Sequence, residues 1–326
     1  MLRRAYDSRG SGVSALFRRV YRKPAPGKKE RKYQRMSWFF TQLINGLQSG
    51  SVFALVALGY SMVYGIILLL NFAHGDIIMV GAYVIYYSIT MFNFHPILSI
   101  LLAVIASVAL GVVIEKVAYT PLRSAPRLSL LITAIGISFL LENGAQLIFG
   151  ADTKSMSPII TGNITLGGIN ISNAALVTIV TTVIAMIVLT FLVQKTKLGK
   201  AMRAVSEDMG AAQLMGISLN KTISFTFAVG SALAGIGSVL YLCAYPQASP
   251  TMGSMLGLKA FVAAVLGGIG SIPGAMIGGF AIGILEAFVS AVGLSAWKDG
   301  VVFAILIIVL LVKPTGILGR KITEKV

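Results

Sequence analysis

Residues 195–221 read KTKLGKAMRAVSEDMGAAQLMGISLNK, a charged and helix-capable stretch flanked by two long apolar runs, 173–194 and 220–245. It carries Lys195, Lys197, Lys200, Arg203, Glu207, Asp208 and Lys221 in a chain in which charged residues are only 12% and hydrophobic residues 56%. A soluble domain carries about 25% charged residues. The apolar runs are continuous rather than alternating every second residue, so they read as helices crossing a membrane and not as barrel strands. A structured polar loop kept by such a protein on its basic side points to a partner in the cytosol.

Working outward, apolar spans fall at 37–59, 73–92, 96–119, 128–149, 173–194, 220–245, 272–292 and 299–312. Two shorter apolar pieces, 60–71 and 256–269, lie beside glycine-rich breaks. The fold class is an all-α polytopic membrane protein, with about eight long transmembrane helices and two broken or short ones. Residues 36–312 form the transmembrane domain, 1–35 a disordered basic extension and 313–326 a basic tail.

The net charge of +16 is concentrated at the N-terminus, where residues 1–35 hold 12 of the 27 Lys and Arg. That distribution fits a positive-inside anchor on anionic lipid better than a nucleic-acid surface. An Arg-rich targeting segment and an extension upstream of a start at Met36 are the other readings of this arm. If the arm, the Arg123–Arg127 turn, the 195–221 loop and the C-terminal tail are all cytosolic, each interval between them needs an even number of crossings. Even counts follow only if 60–71 and 256–269 both cross, giving about ten traverses.

Cys243 is the only cysteine, which excludes an internal disulfide. Phosphate-loop, Ser-His-Asp, His-x-x-x-His and clustered-carboxylate patterns are all absent from the sequence, so the expectation is a protein with no catalytic residues, no cofactor and no metal. Glu115, Glu142, Lys259 and Glu286 lie inside apolar spans and must face protein or water. Glu115 and Lys116 read as reaching the interface, and Lys259 and Glu286 as a pair across helices. At the first break, Asn71-Phe72-Ala73-His74-Gly75-Asp76, the residues Asn71 and Asp76 read as helix caps. At the second, Gly267 to Gly274, glycines and a proline end one helix and start another. Glycines four apart, Gly274 with Gly278 and Gly279 with Gly283, make smooth faces for close helix contact. Broken helices at comparable places in two halves point to a permeation path. Its candidates are Asn71, His74, Asp76, Lys259, Gly268, Gly270 and Ser271. In the opening loop, Ala211 and Ala212 follow the acidic pair Glu207-Asp208, and Gly216 can stop the helix with positive φ.

These residues resemble a known family. Ala-Ala-x-x-x-Gly at 211–216 is similar to the coupling loop of ABC importer permeases, with Gly210 where that pattern has Glu. NFAHGD at 71–76, PLRSAPRL at 121–128, RAVSEDMGAAQLMGI at 203–217, GLKAFVAAVLGGIGSIPGAMIGG at 257–279 and KPTGILGR at 313–320 resemble the H-type membrane subunit of Liv-type branched-chain amino-acid importers. The resemblance covers 36–326. It implies a multi-pass permease of the bacterial inner membrane, with both termini cytosolic. It also implies a heterodimer with a second, M-like permease subunit, two cytosolic ATPase subunits, a periplasmic substrate-binding protein and a lipid environment, and no nucleic acid. Arg203, Glu207, Asp208, Gly210, Ala211, Ala212 and Gly216 would then couple to the ATPases. An ion-coupled carrier and a permease for an amide, urea or sugar are the alternatives.

Overall fold

The computed structural model describes residues 28–67, 71–123, 125–166 and 169–319. The chain divides into two compact units, 1–40 and 41–326. In the first, the described residues open the helix α1 (Lys28–Ile67), and Trp38, Phe39 and Phe40 are exposed. Residues 28–35 are therefore helical, where the sequence led us to expect disorder. The rest of the N-terminal arm lies outside the described residues.

The second unit is a helical membrane domain. After α1 come α2 (His74–Thr90), α3 (Pro96–Ile114), which continues as a π-helical turn over Glu115–Tyr119, α4 (Arg127–Phe149) and α5 (Asn173–Lys195). The short α6 (Lys197–Glu207) and α7 (Met209–Leu214) build the charged loop. Then follow α8 (Leu219–Ala244), α9 (Met252–Gly267), α10 (Ile272–Ala291) and α11 (Lys298–Val312). Among the described residues, seven helices are long and apolar enough to cross a membrane. The 17 residues of α2 and 16 of α9 would rise about 26 and 24 Å, short of a hydrocarbon core of about 30 Å. Both are buried at the centre, where the neighbouring breaks can complete the depth. By contrast α4, α5 and α11 expose long apolar faces, among them Leu147, Ile148, Phe191 and Leu311.

Strands are few. β1 (Lys154–Ser155) pairs antiparallel with β4 (Gln247–Ala248), and β2 (Asn163–Leu166) with β3 (Ile169–Ser172). β2 and β3 do alternate apolar and polar residues, but at four residues each, and two each for β1 and β4, they are too short to stand out in sequence.

Contacts fix which helix ends share a face. Ser49 Oγ and Tyr245 Oη lie 2.8 Å apart, placing the early part of α1 beside the end of α8. Gly65 near the other end of α1 lies against Gly270. There Ile317 N donates to Leu266 O and Leu318 N to Gly267 O, each at 2.9 Å. These bonds satisfy C-terminal carbonyls of α9 that have no partner within their own helix. Gly316 makes the approach possible, since it has φ +73° and an added Cβ would meet Val265 O at 2.4 Å. Residues 313–319 are thus part of the fold rather than a free tail, and 320–326 lie outside the described residues.

One sequence expectation fails here. Residues 60–67 do not form a separate crossing, because α1 runs through Gly59 without a break. Gly59 is a notch, not a helix stop: a Cβ there would lie 2.4 Å from His74 Nε2. Between Thr41 and Lys195 stand five helices, α1, α2, α3, α4 and α5, an odd number, of which all but the 17-residue α2 have the length and composition of a span. The 256–269 piece is a helix of its own, the 16-residue α9, so four helices, α8 to α11, lie between the charged loop and Lys313.

Candidate functional site

The charged loop is built on its own caps. Thr196 Oγ1 accepts from Gly199 N at 3.0 Å and starts α6. Asp208, extended at φ −159°, breaks the loop into two helices, and its Oδ1 accepts from Ala211 N at 2.9 Å to start α7. The stretch 203–217 is therefore a helix, a capped corner and a second short helix. Gly216 ends α7 at φ +81°, the positive value expected of a glycine stop. Met202, Val205 and Ala212 are buried, with Met209, Ile217 and Leu219 against the same core. That underside holds the loop as a rigid knob. Arg203, Glu207, Asp208, Gly210, Ala211 and Gly216 are exposed on it. The sequence reading missed the tip: Leu214 is 90% and Met215 82% exposed. Two large apolar side chains on a braced polar loop were the available signal.

At the first break, Asn71, His74 and Asp76 come together at the start of α2, all buried. Neither Asn71 nor Asp76 caps the helix through its side chain, contrary to the sequence reading. Backbone bonds from His74 N to Asn71 O at 3.0 Å and from Asp76 N to Ala73 O at 3.1 Å already satisfy those amides. The Asn71 side chain instead accepts at Oδ1 from Tyr119 Oη at 3.2 Å. The His74 ring meets the Tyr60 ring edge-on at 4.9 Å between centroids. Among the described residues, Asn71 Nδ2 and His74 Nε2 have no hydrogen-bond partner, and the Asp76 carboxylate has none with good geometry, the Ser138 hydroxyl on α4 being the one side-chain donor close enough to interact with it. Buried polar groups without partners are few in folded proteins. Gly75 and Gly253 bring α2 and α9 into backbone contact beside them, since a Cβ on Gly75 would lie 2.1 Å from Gly253 O. Nearby, Ser254 on α9 donates to Glu142 on α4.

The second break sits at the other end of α9. Gly268 has φ +106° and Gly270 φ +84°, and Ser271 Oγ accepts from Gly274 N at 3.2 Å to cap α10. A Cβ on Gly268 would meet Gly319 N at 2.2 Å, so the C-terminal segment closes over this turn. Lys259, midway along α9, joins neither break. Its Nζ lies 2.8 Å from Glu286 Oε1 and 2.7 Å from Asp299 Oδ1. The expected pair across helices is present, with Asp299 as a third member that sequence spacing did not reveal. Glu115 departs from expectation too: it is 1% exposed and ion-paired with Arg123 at 3.3 Å rather than reaching an interface.

The family described as branched-chain amino acid transport system, permease component, matches residues 42–310. The chain is 43% identical over 301 residues to the high-affinity branched-chain amino acid transport system permease protein BraD of Pseudomonas aeruginosa, covering 88% of this chain and 98% of that protein. The permease protein LivH of the same description from Salmonella typhimurium is 43% identical over 306 residues, covering 90% and 99%. LivH of Escherichia coli is 42% identical over the same length and shares. No solved structure matches the chain.

Proposed function

Because the chain belongs to the family of branched-chain amino acid transport permease components, we propose that its α6–α7 knob receives the push of the ATPase subunits of an ABC importer. The chain is a membrane-spanning permease component for branched-chain amino acids. The observation that carries the coupling role is the knob itself: an exposed apolar tip on a capped, internally buried base that is continuous with α5 and α8. A rigid base transmits displacement, whereas a loose loop absorbs it. The path would run past Asn71, His74 and Asp76 toward the Gly268–Ser271 turn. The unpartnered polar atoms at α2 and the unwound backbone that follows α9 support that course. Lys259 would act as a strut beside it. The apolar faces left open on α4, α5 and α11 provide surface for lipid and for a second, M-like permease subunit. A periplasmic binding protein would deliver the substrate to the opposite face.

The double variant Leu214→Asp, Met215→Asp tests the knob without touching its buried base. ATPase copurification with the membrane complex should fall about tenfold or more, as loss of a central apolar anchor does at other interfaces. Undiminished copurification with unchanged uptake would sink the assignment.

Orientation follows from the same faces. The knob and residues 313–319 are cytosolic in this reading, and the odd number of crossings puts the Thr41 end of α1 on the periplasmic face, against the cytosolic N-terminus expected from charge. A cysteine at Arg35, in a Cys243→Ser background, should react with a membrane-impermeant maleimide in intact spheroplasts. A cysteine at Leu214 should react only after permeabilisation. Protection of the Arg35 position until permeabilisation would overturn the odd count.

A further inference from the structure

Glu115 opens the π-helical turn Glu115–Tyr119 at the end of α3, and its side chain is buried among polar partners from two helices. Thr120 Oγ1 donates to its Oε1 at 2.7 Å, and Arg123 Nη2 to the same oxygen at 3.3 Å. Ser224 Oγ, on α8, donates to Oε2 at 2.6 Å. Arg123 Nη1 donates to Asn220 Oδ1, in the first turn of α8, at 2.7 Å. One buried carboxylate therefore clamps the end of α3 to the start of α8, the helix into which the knob runs. Four residues further along the turn, Tyr119 donates to Asn71 at the first break, and its ring lies 5.2 Å from that of Phe227 on α8. π-Helical turns inside α-helices occur often at functional sites, because the extra residue breaks the regular ladder and makes the end of the helix adjustable.

We infer that Glu115 is the positioning residue through which movement of the α6–α7 knob reaches the Asn71–Asp76 break. The inference rests on the coupling role proposed for the knob and names the connection inside this chain. Displacement of the start of α8 pulls on Asn220 and Ser224, hence on the Arg123–Glu115 pair and the π turn, and Tyr119 carries it to Asn71. The carboxylate is needed because it accepts three hydrogen bonds at once. An amide in its place keeps the shape but replaces one acceptor oxygen with a donor that faces other donors.

The test uses the complete transporter in proteoliposomes, with binding protein and ATPase subunits, reading ATP hydrolysis and leucine uptake in parallel. Glu115→Gln should leave assembly and hydrolysis intact but lower uptake per ATP about five- to tenfold, within the usual range of an allosteric coupling. Glu115→Asp should restore part of it. Should Glu115→Gln fail to insert, Ser224→Ala removes one bond of the clamp and leaves the ion pair, and it should lower the same ratio. An unchanged ratio in the variant that assembles overturns the inference and leaves the knob assignment standing. Normal ATPase capture and uptake after the Leu214 and Met215 changes would instead remove the reading on which it rests.

Discussion

Gly283→Leu is expected to abolish stable folding of the membrane domain. Gly283 and Gly279 on α10 face Gly46, Gly50 and Ala54 on α1, and the two backbones touch. A Cβ on Gly283 would lie 2.1 Å from Gly50 N and 2.5 Å from Gly46 O, and one on Gly279 2.3 Å from Ala54 Cα. The obstacles are backbone atoms, which cannot rotate away as a side chain can. In lipid no hydrophobic force draws helices together, so this close approach and the van der Waals contact it permits hold α1 on α10. A leucine would part the helices along their length and forfeit those contacts together. Overpacking a core costs about 1–3 kcal/mol where side chains can move aside, so the cost here should exceed that range. Gly136 is the control: it lies exposed on α4, and nothing stands within 4 Å of an added Cβ. Gly136→Ala should be neutral or stabilising by up to about 1 kcal/mol, since alanine is the better helix former. Monodispersity after heating in detergent reads both. Equal thermal survival of Gly283→Leu and Gly136→Ala would contradict the backbone contact.

The half of this crossing on α10 was legible in sequence, because Gly279 and Gly283 stand four apart in an apolar run. The half on α1 was not. Gly46, Gly50 and Ala54 make the same small-residue stripe, but nothing local says which helix it meets. The same limit explains Gly59, whose apparent break is a notch for a histidine fifteen positions further on. Long spans could be read because about twenty apolar residues in a row have one physical solution in lipid. The knob could be read because charge in a greasy chain is costly unless it leaves the membrane. The corner at Asp208 follows from its capping chemistry, yet it divides a stretch that reads as one helix. Glu115 stands near a span end, where sequence position alone predicts exposure, yet it is buried. Its partner Ser224, and Asn220, which holds its partner Arg123, come from a helix a hundred residues later, and only the fold brings them together.

Lys259→Met should cost about 3–5 kcal/mol of stability, the usual penalty for breaking a buried ion pair by removing one partner. The ammonium lies 2.8 Å from Glu286 and 2.7 Å from Asp299, and 5.6 Å from the centre of the Phe53 ring. Its side chain and that of Glu286 are each 8% exposed, whereas Asp299 is 37% exposed. Removing the lysine therefore strands Glu286 far more than Asp299, which keeps access to water. The penalty comes mainly from the unpaired charge, so it should be recoverable. Adding Glu286→Leu removes that charge, and a well-packed apolar replacement for a buried pair is often neutral or stabilising. The double-variant cycle on thermal stability should show a coupling of about 0.5–3 kcal/mol between the two positions. Uptake then separates two roles for Lys259. If it is a strut joining α9, α10 and the start of α11, the double variant regains both stability and leucine uptake. If the ammonium also meets the substrate along the path, stability returns while uptake stays low. The geometry favours the strut, because both strong partners of the ammonium are helix-borne carboxylates of this chain. Recovery of stability without uptake would therefore move Lys259 into the path and require it to leave Glu286 during transport.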